Sequence, residues 1–202
     1  MNDLVSIITP ALYSRKEVLL NRNIPSVMKQ THKNWEHLVI TDGPCPLHAE
    51  LPPHIKYYEL GKNWSFLLNA HGHVQTMVGS FLAQGNYIAY IDDDDAWYPD
   101  HLESLLDLIK KTKADFVYSK METIVKGEVV AHVFANPPRL AGISTSAIMH
   151  KIDTMKITNW GPDCFCYPGE WKMTEKWIQA GLKWAGLDRV TVKWYRNKPW
   201  PG

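Results

Sequence analysis

Four consecutive aspartates, Asp92 to Asp95, end an apolar run in the stretch YIDDDDAWYPDHL. Adjacent carboxylates repel one another and raise one another's pKa, so the run calls for a positive charge close by. In an extended chain alternate side chains face the same way. On that reading Asp92 and Asp94 converge, while Asp93 and Asp95 point to the other side. Two convergent carboxylates without a neighbouring His or Cys suit a hard ion with oxygen ligands, Mg²⁺ or Mn²⁺. Such an ion keeps room for substrate phosphates, and it neutralises charge that grows as a diphosphate leaves. The plain alternative is a solvated acidic loop. The run's position, directly after a buried-type strand and before a helix opening at Pro99, argues for the ligand edge of a sheet.

Leu4 to Thr9 is apolar and β-branched, reads as a buried parallel strand, and is expected to stop at Pro10. Ser14 stands three residues before Glu17, a capping-box spacing, and a helix is expected up to about Gln30. Glu36 to Thr41, Ile55 to Leu60 and Tyr87 to Ile91 read as further strands. One long helix is expected from Trp64 to about Ala83. Leu102, Leu105, Leu106 and Ile109 give the helix after Pro99 its apolar stripe. Asp115 to Tyr118 reads as a short strand, ETIVKGEVVAHVF as a hairpin turning at Lys126-Gly127, Glu170 to Ala180 as a helix, and RVTVKWY as a last strand. The first half alternates strand and helix, which predicts an α/β layer fold with a mostly parallel sheet. The second half is mixed and more antiparallel. In open α/β sheets ligands bind beyond the carboxyl ends of the strands. Thr9-Pro10, Asp42 and the aspartates fall there.

With 202 residues, 45% hydrophobic and 21% charged, the chain is long enough for one sizeable core. We expect a single domain over residues 1–196, with residues 1–110 as the donor half, 111–196 as the acceptor half, and 197–202 as a proline-rich linker or tail, so that the chain is part of a longer polypeptide. Lys plus Arg (22) balance Asp plus Glu (21) with no basic block, which argues against a nucleic-acid partner. Cys45, Cys164 and Cys166 are too few for a disulfide framework and read as reduced thiols, in keeping with a cytoplasmic location in a cell or infected host. Cys164 and Cys166 are too isolated to argue strongly for a soft metal. No stretch is long and apolar enough to span a bilayer.

Several segments, in order, resemble the family 2 glycosyltransferases with the GT-A fold, compact viral members among them. VSIITPALYSR is similar to that family's opening strand and loop. SVMKQTHKNWEHLVITDGP is similar to its second block, and AQGNYIAYIDDDDAWYPDHLESLL carries a DXD metal motif as Asp92-Asp93-Asp94. A weaker match runs through GISTSAIMHK and PGEWKMTEKWIQAG to VKWYRN. The resemblance implies an inverting transfer of a sugar from a nucleoside diphosphate, UDP by preference, to a hydroxyl of a glycan or other acceptor. It implies that Thr9 and Pro10 lie along the nucleoside and that Asp42 meets the base. Asp92 or Asp93 would reach ribose or sugar, and Asp94, with Asp92, would bind Mn²⁺ or Mg²⁺. Glu170 would be the catalytic base, with Asp163 in reserve. Trp97 and Trp171 are candidates for stacking on an acceptor sugar, against the plain reading of core packing.

Three departures from the family pattern bear on the site. Thr41 stands where a second aspartate is common, Thr76-Met77 where Arg-Asn is common, and Gly169-Glu170 where Glu-Asp is common. A missing phosphate contact would fall to Arg196, or to His71 or His73, which otherwise read as surface residues. The rivals are an aspartyl phosphatase or phosphotransferase, whose aspartates normally follow the first strand, a nucleotidyltransferase, and a sugar-nucleotide-binding module without turnover.

Overall fold

The computed structural model describes residues 3–47, 50–68, 70, 72–165 and 168–196. His71, Cys166 and the 197–202 tail lie outside them. The strands are β1 Val5–Ala11, β2 Trp35–Thr41, β3 Ile55–Glu59, β4 Tyr87–Tyr90, β5 Ala96–Trp97, β6 Phe116–Val125, β7 Glu128–Val133, β8 Ile148–Lys151 and β9 Trp184–Arg196. They form one sheet in the order β3-β2-β1-β4-β8-β6-β9-β5, with β7 on β6. β3, β2, β1 and β4 run parallel, as do β6 and β9, while β8 is antiparallel to both β4 and β6.

The apolar runs account for the strands: Val5, Ile7, Ile8, Leu38, Val39, Ile40, Ile88 and Ala89 are all fully buried, as strands covered on both faces require. β1 nevertheless continues through Pro10 to Ala11. The Ile8 carbonyl accepts the Ile91 N–H, so Ile8 and, two residues on, Pro10 present their backbone polar groups towards β4. β4 has ended at that level, so the ring costs no ladder bond.

The first helical segment is not one capped α-helix. No side-chain cap forms at its start; an α-turn, α1 (Lys16–Val18), passes through a π-turn, Leu19–Asn23, into α2 (Ile24–Met28). Pro25 has no N–H for the Asn21 carbonyl, and the wider turn absorbs that loss. The expected long helix is likewise two, α3 (Trp64–Leu68) and α4 (His73–Leu82). Gly72 breaks it at φ +88°, with a Cβ there only 3.3 Å from the Pro10 Cβ. Only glycine meets both demands comfortably, and the break brings the α4 N-terminus beside the end of β1.

The Leu102, Leu105, Leu106 and Ile109 stripe of α5 (His101–Thr112) packs on one face of the sheet with Val27. On the other face Met173 and Trp177 of α6 (Gly169–Gln179) pack with Trp160, Phe116 and Ile88, and Met77 of α4 joins them.

β6 and β9 are longer than expected. β8 pairs with β6 only as far as Tyr118, so Ser119 to Val125, with their β9 partners, rise past the end of β8 and wall a cleft. The β6–β7 hairpin turns at Lys126-Gly127, both at positive φ, which suits a two-residue turn between twisted strands.

Candidate active site

The aspartates sit in that cleft, but not as an alternating strand. β4 stops at Tyr90 and the Asp95 N–H closes a turn onto the Asp92 carbonyl at 3.1 Å. The expected pairing of Asp92 with Asp94 by strand alternation therefore fails. The main chain of the turn is held from the first helical segment: the Asn23 amide donates to the Asp92 carbonyl at 2.8 Å and Arg22 to the Asp94 carbonyl at 3.0 Å. Ser146 holds the other side. Its hydroxyl accepts the Asp92 N–H at 3.0 Å and donates to Asp95 at 2.6 Å. Because β8 runs antiparallel to β4, the residues just before β8 reach the carboxyl end of β4, which is why Ser146 lies there.

The positive charge that the run calls for is Arg15. Its guanidinium pairs with Asp93 at 2.8 Å and with Asp94 at 3.0 Å. Asp93 also accepts the Leu12 N–H at 2.8 Å, and its side chain is 3% exposed against 32% for Asp94. Asp93 thus tethers the loop after β1.

Asp92 is half-buried and its pKa is pushed up to about 7, by burial first, then by the charges of Asp94, Asp93 and Glu170. Burial also raises Asp95 well above its ordinary value, with Asp92 and Asp94 adding to it. An acid raised on folding binds more protons folded than unfolded, so it lowers stability as pH climbs from its ordinary value towards the raised one. Asp92 therefore weakens the fold progressively between about pH 4 and pH 7. Asp3, Glu36 and Asp115, whose pKa values are lowered, act with the opposite sign as pH rises. The diagnostic is the difference curve: melting temperature of Asp92→Asn minus wild type, without metal, is expected to rise across that window. A flat difference would contradict the assigned burial of charge at Asp92.

A cavity of about 450 Å³ lies over the turn, lined by Pro10, Arg15, Asp92, Glu170, Trp194 and Arg196 among others. Glu170 enters it from the first turn of α6. The helix N-terminus favours its charged form, but burial outweighs this and its pKa is raised. Gly169 accounts for the approach: a Cβ there would overlap the Cys164 carbonyl and the His73 ring. The Gly169 departure is thus a packing requirement of this chain. A smaller cavity of about 310 Å³ adjoins, between Pro10, Leu12, Gly72, Gln75, Asp92 and Asp93.

Of the expected site residues, Pro10, Asp92, Glu170 and Arg196 meet around one cavity. Asp94 lines an adjoining groove that shares Arg15, Trp194 and Arg196 with that cavity. Asp42 lies beside Ala11 at the end of β2 and accepts the Trp64 N–H at 2.7 Å, serving the start of α3. Other expected residues lie elsewhere. Thr9 is fully buried with its hydroxyl against His37 at 2.8 Å, because its side chain faces the core. Asp163 pairs with Lys176 and is 59% exposed, outside the cavities described. Trp97 is a core residue, stacked on His101 and donating to the Ser146 carbonyl at 2.7 Å. Trp171 packs against the buried cluster around Trp177. His73, expected on the surface, is buried and stacked on Trp160.

Arg15 and Trp194 are the site residues that the sequence did not flag. The basic residue in PALYSR was a usable signal for Arg15, since four carboxylates had to find a partner.

Among the described residues no three His, Cys, Asp or Glu side chains form a metal-holding group. A resident cation cage is therefore not what the residues fit. Mg²⁺ and similar ions, however, are commonly bound by one or two carboxylates plus substrate phosphates. Asp92, whose charge Asp94 disfavours, and the partly exposed Asp94 are the carboxylates that such an ion would meet.

A family model described as glycosyl transferase family 2 matches residues 6–167. The chain is 31% identical over 138 residues to the Escherichia coli UDP-Glc:alpha-D-GlcNAc-diphosphoundecaprenol beta-1,3-glucosyltransferase WfgD, covering 65% of this chain and 51% of that protein. It is 29% identical over 209 residues to protein CgeD of Bacillus subtilis, covering 95% of this chain and 47% of that one. The chain spans about half the length of these curated relatives. The structure of Staphylococcus aureus TarS 1-349 in complex with UDP superposes with a TM-score of 0.75 at 15% identity, over 95% of this chain and 60% of that one. At that identity the likeness is one of fold, a GT-A glycosyltransferase fold. With the family model spanning both the acidic turn and the approach to Glu170, the chain belongs to glycosyl transferase family 2.

Proposed function

We propose that this chain transfers a sugar, with inversion, from a nucleoside diphosphate sugar to a hydroxyl of a glycan or other acceptor. The observation that carries this reading is the shared cavity in which Glu170, with its raised pKa, faces Asp92 beside Arg15 and Arg196. The nucleoside would lie along Pro10 and Leu12 in the smaller cavity, near Asp42, and the sugar in the larger one. Asp92 and Asp94 would hold Mn²⁺ or Mg²⁺ together with the diphosphate oxygens. When bound, that ion supplies positive charge against the departing diphosphate. Arg15 is already within reach of both and adds a second cation there. The Glu170 carboxylate takes the acceptor hydroxyl's proton as that oxygen attacks the anomeric carbon, and its raised pKa strengthens it as a base. The similarity to WfgD, named for UDP-Glc, and to TarS, whose structures hold UDP and UDP-GlcNAc, favours UDP as the nucleotide.

The test is thermal unfolding with UDP, with Mn²⁺, and with both. At a hundred times Kd the ligand pair is expected to add about 2.7 kcal/mol, roughly 5–10 °C for a chain of this size. Melting that ignores UDP and Mn²⁺ together would overturn the reading. A binding module would show the same shift but never consume donor. No helix among the described residues is long and apolar enough to cross a membrane.

A further inference from the structure

The Asp94 carboxylate is paired with Arg15 at 3.0 Å. An ion arriving with a diphosphate would take that carboxylate and displace Arg15 from it. The main chain of Asp94 is held by a different contact. Arg22 donates to the Asp94 carbonyl at 3.0 Å, and this bond does not depend on which partner the carboxylate has. Arg22 is held in turn by a ring, with its guanidinium 3.8 Å over the face of Tyr195. A planar guanidinium can lie over a ring and still donate in its own plane, which a lysine ammonium cannot.

The fold brings these residues together. β5 follows the acidic turn directly and pairs antiparallel with β9, Ala96 opposite Lys193 and Trp97 opposite Val192. Two residues further along that register Tyr195 comes alongside Asp94. Arg22 comes from the π-turn Leu19–Asn23, whose last residue, Asn23, holds the Asp92 carbonyl at 2.8 Å. Both Arg22 and Tyr195 are half-buried. The neighbours of Tyr195 on β9, Trp194 and Arg196, line the Glu170 cavity, so one strand borders the proposed base and braces the acidic turn.

We propose that Arg22 and Tyr195 are positioning residues for the ion. The Tyr195 ring aims Arg22, and Arg22 fixes the Asp94 peptide, so the carboxylate stays in place when Arg15 is displaced. This role rests on the transferase reading and concerns the geometry of its ion.

The experiment is calorimetric titration of UDP into the full chain, with and without Mn²⁺. The ratio of the two Kd values measures how far the ion strengthens nucleotide binding. Arg22→Met is expected to cut that ratio about tenfold, the lower end of what partners behind a metal ligand contribute. Tyr195→Leu is expected to cut it about threefold, and Tyr195→Phe, which keeps the ring face, to preserve it. UDP affinity without metal should be unchanged in all three, because Asn23 and Ser146 still hold the turn. In the Arg22→Met background Tyr195→Leu should cost nothing further, since the ring acts only through Arg22. A merely structural role would lower the melting temperature and leave the ratio alone. The proposal is overturned if Tyr195→Leu keeps the ratio, if Tyr195→Phe loses as much as Tyr195→Leu, or if the two losses multiply in the double variant. The Tyr195 pair of variants decides the matter even if Arg22→Met does not fold. Wild-type UDP binding that ignores Mn²⁺ would instead overturn the ion site of the transferase reading beneath it.

Discussion

Glu170→Gln is expected to lower sugar transfer by about 10²–10⁴-fold while UDP affinity is kept, because the amide cannot take the acceptor proton. Glu170 projects into the same cavity as Asp92 from the first turn of a helix whose packing does not depend on its charge. Burial already disfavours that charge, so the isosteric amide should fold as well as the carboxylate at neutral pH. Loss of turnover can then be assigned to chemistry, with retained UDP binding as the control. The raised pKa adds a second readout. Transfer should climb with pH as Glu170 loses its proton, and the glutamine variant should lack that limb. Asp163→Asn provides the contrast. Its carboxylate is 59% exposed and paired with Lys176, so turnover close to wild type is expected. Normal turnover in Glu170→Gln would move the base elsewhere.

Asp94→Asn is expected to abolish the metal dependence of UDP binding and to cost transfer about 10²–10³-fold. Charge stabilisation of a departing diphosphate by an ion amounts to several kcal/mol, and each 1.36 kcal/mol is tenfold in rate. Folding should be nearly unaffected, since the Arg15–Asp94 pair is partly exposed and such pairs contribute about 0.2–1 kcal/mol. Arg15 also retains Asp93, whose buried carboxylate ties the loop after β1. Calorimetric titration of UDP with and without Mn²⁺ reads the effect. A variant that still binds UDP more tightly with Mn²⁺ would remove Asp94 from the proposed ion site. Arg15 sharpens the same test. It competes with any cation for Asp94, so Arg15→Gln should strengthen Mn²⁺ binding measured without nucleotide.

Much of the scaffold was legible from local pattern. The β-branched runs gave β1, β2 and β4, the Leu102–Ile109 stripe gave α5, and Lys126-Gly127 gave the hairpin turn. Local rules failed where a distant neighbour imposed its own demand. The acidic run was expected to alternate as a strand, but Ser146, Asn23 and Arg22 hold it as a turn. The helix from Trp64 was expected to continue, but the close approach of Gly72 to Pro10 breaks it. Trp97 and Trp171 had the right chemistry for a sugar face; burial assigned Trp97 to the core, while Trp171 packs part-buried against it.

By itself the sequence determined most of the strands and helices, though not β5, β8 or the break between α3 and α4, together with the family resemblance and the presence of carboxylates at the rim of the sheet, because periodicity and turn chemistry act over a few residues. Only the tertiary structure decided which charge answers the aspartates, which carboxylate faces them and which aromatics line the cleft. Arg15 is 78 residues from Asp93 along the chain, and Ser146 is 51 from Asp95. Contacts at such separations are set by how the sheet is stacked and how far each side chain is removed from water, and neither quantity is written in any local window of residues.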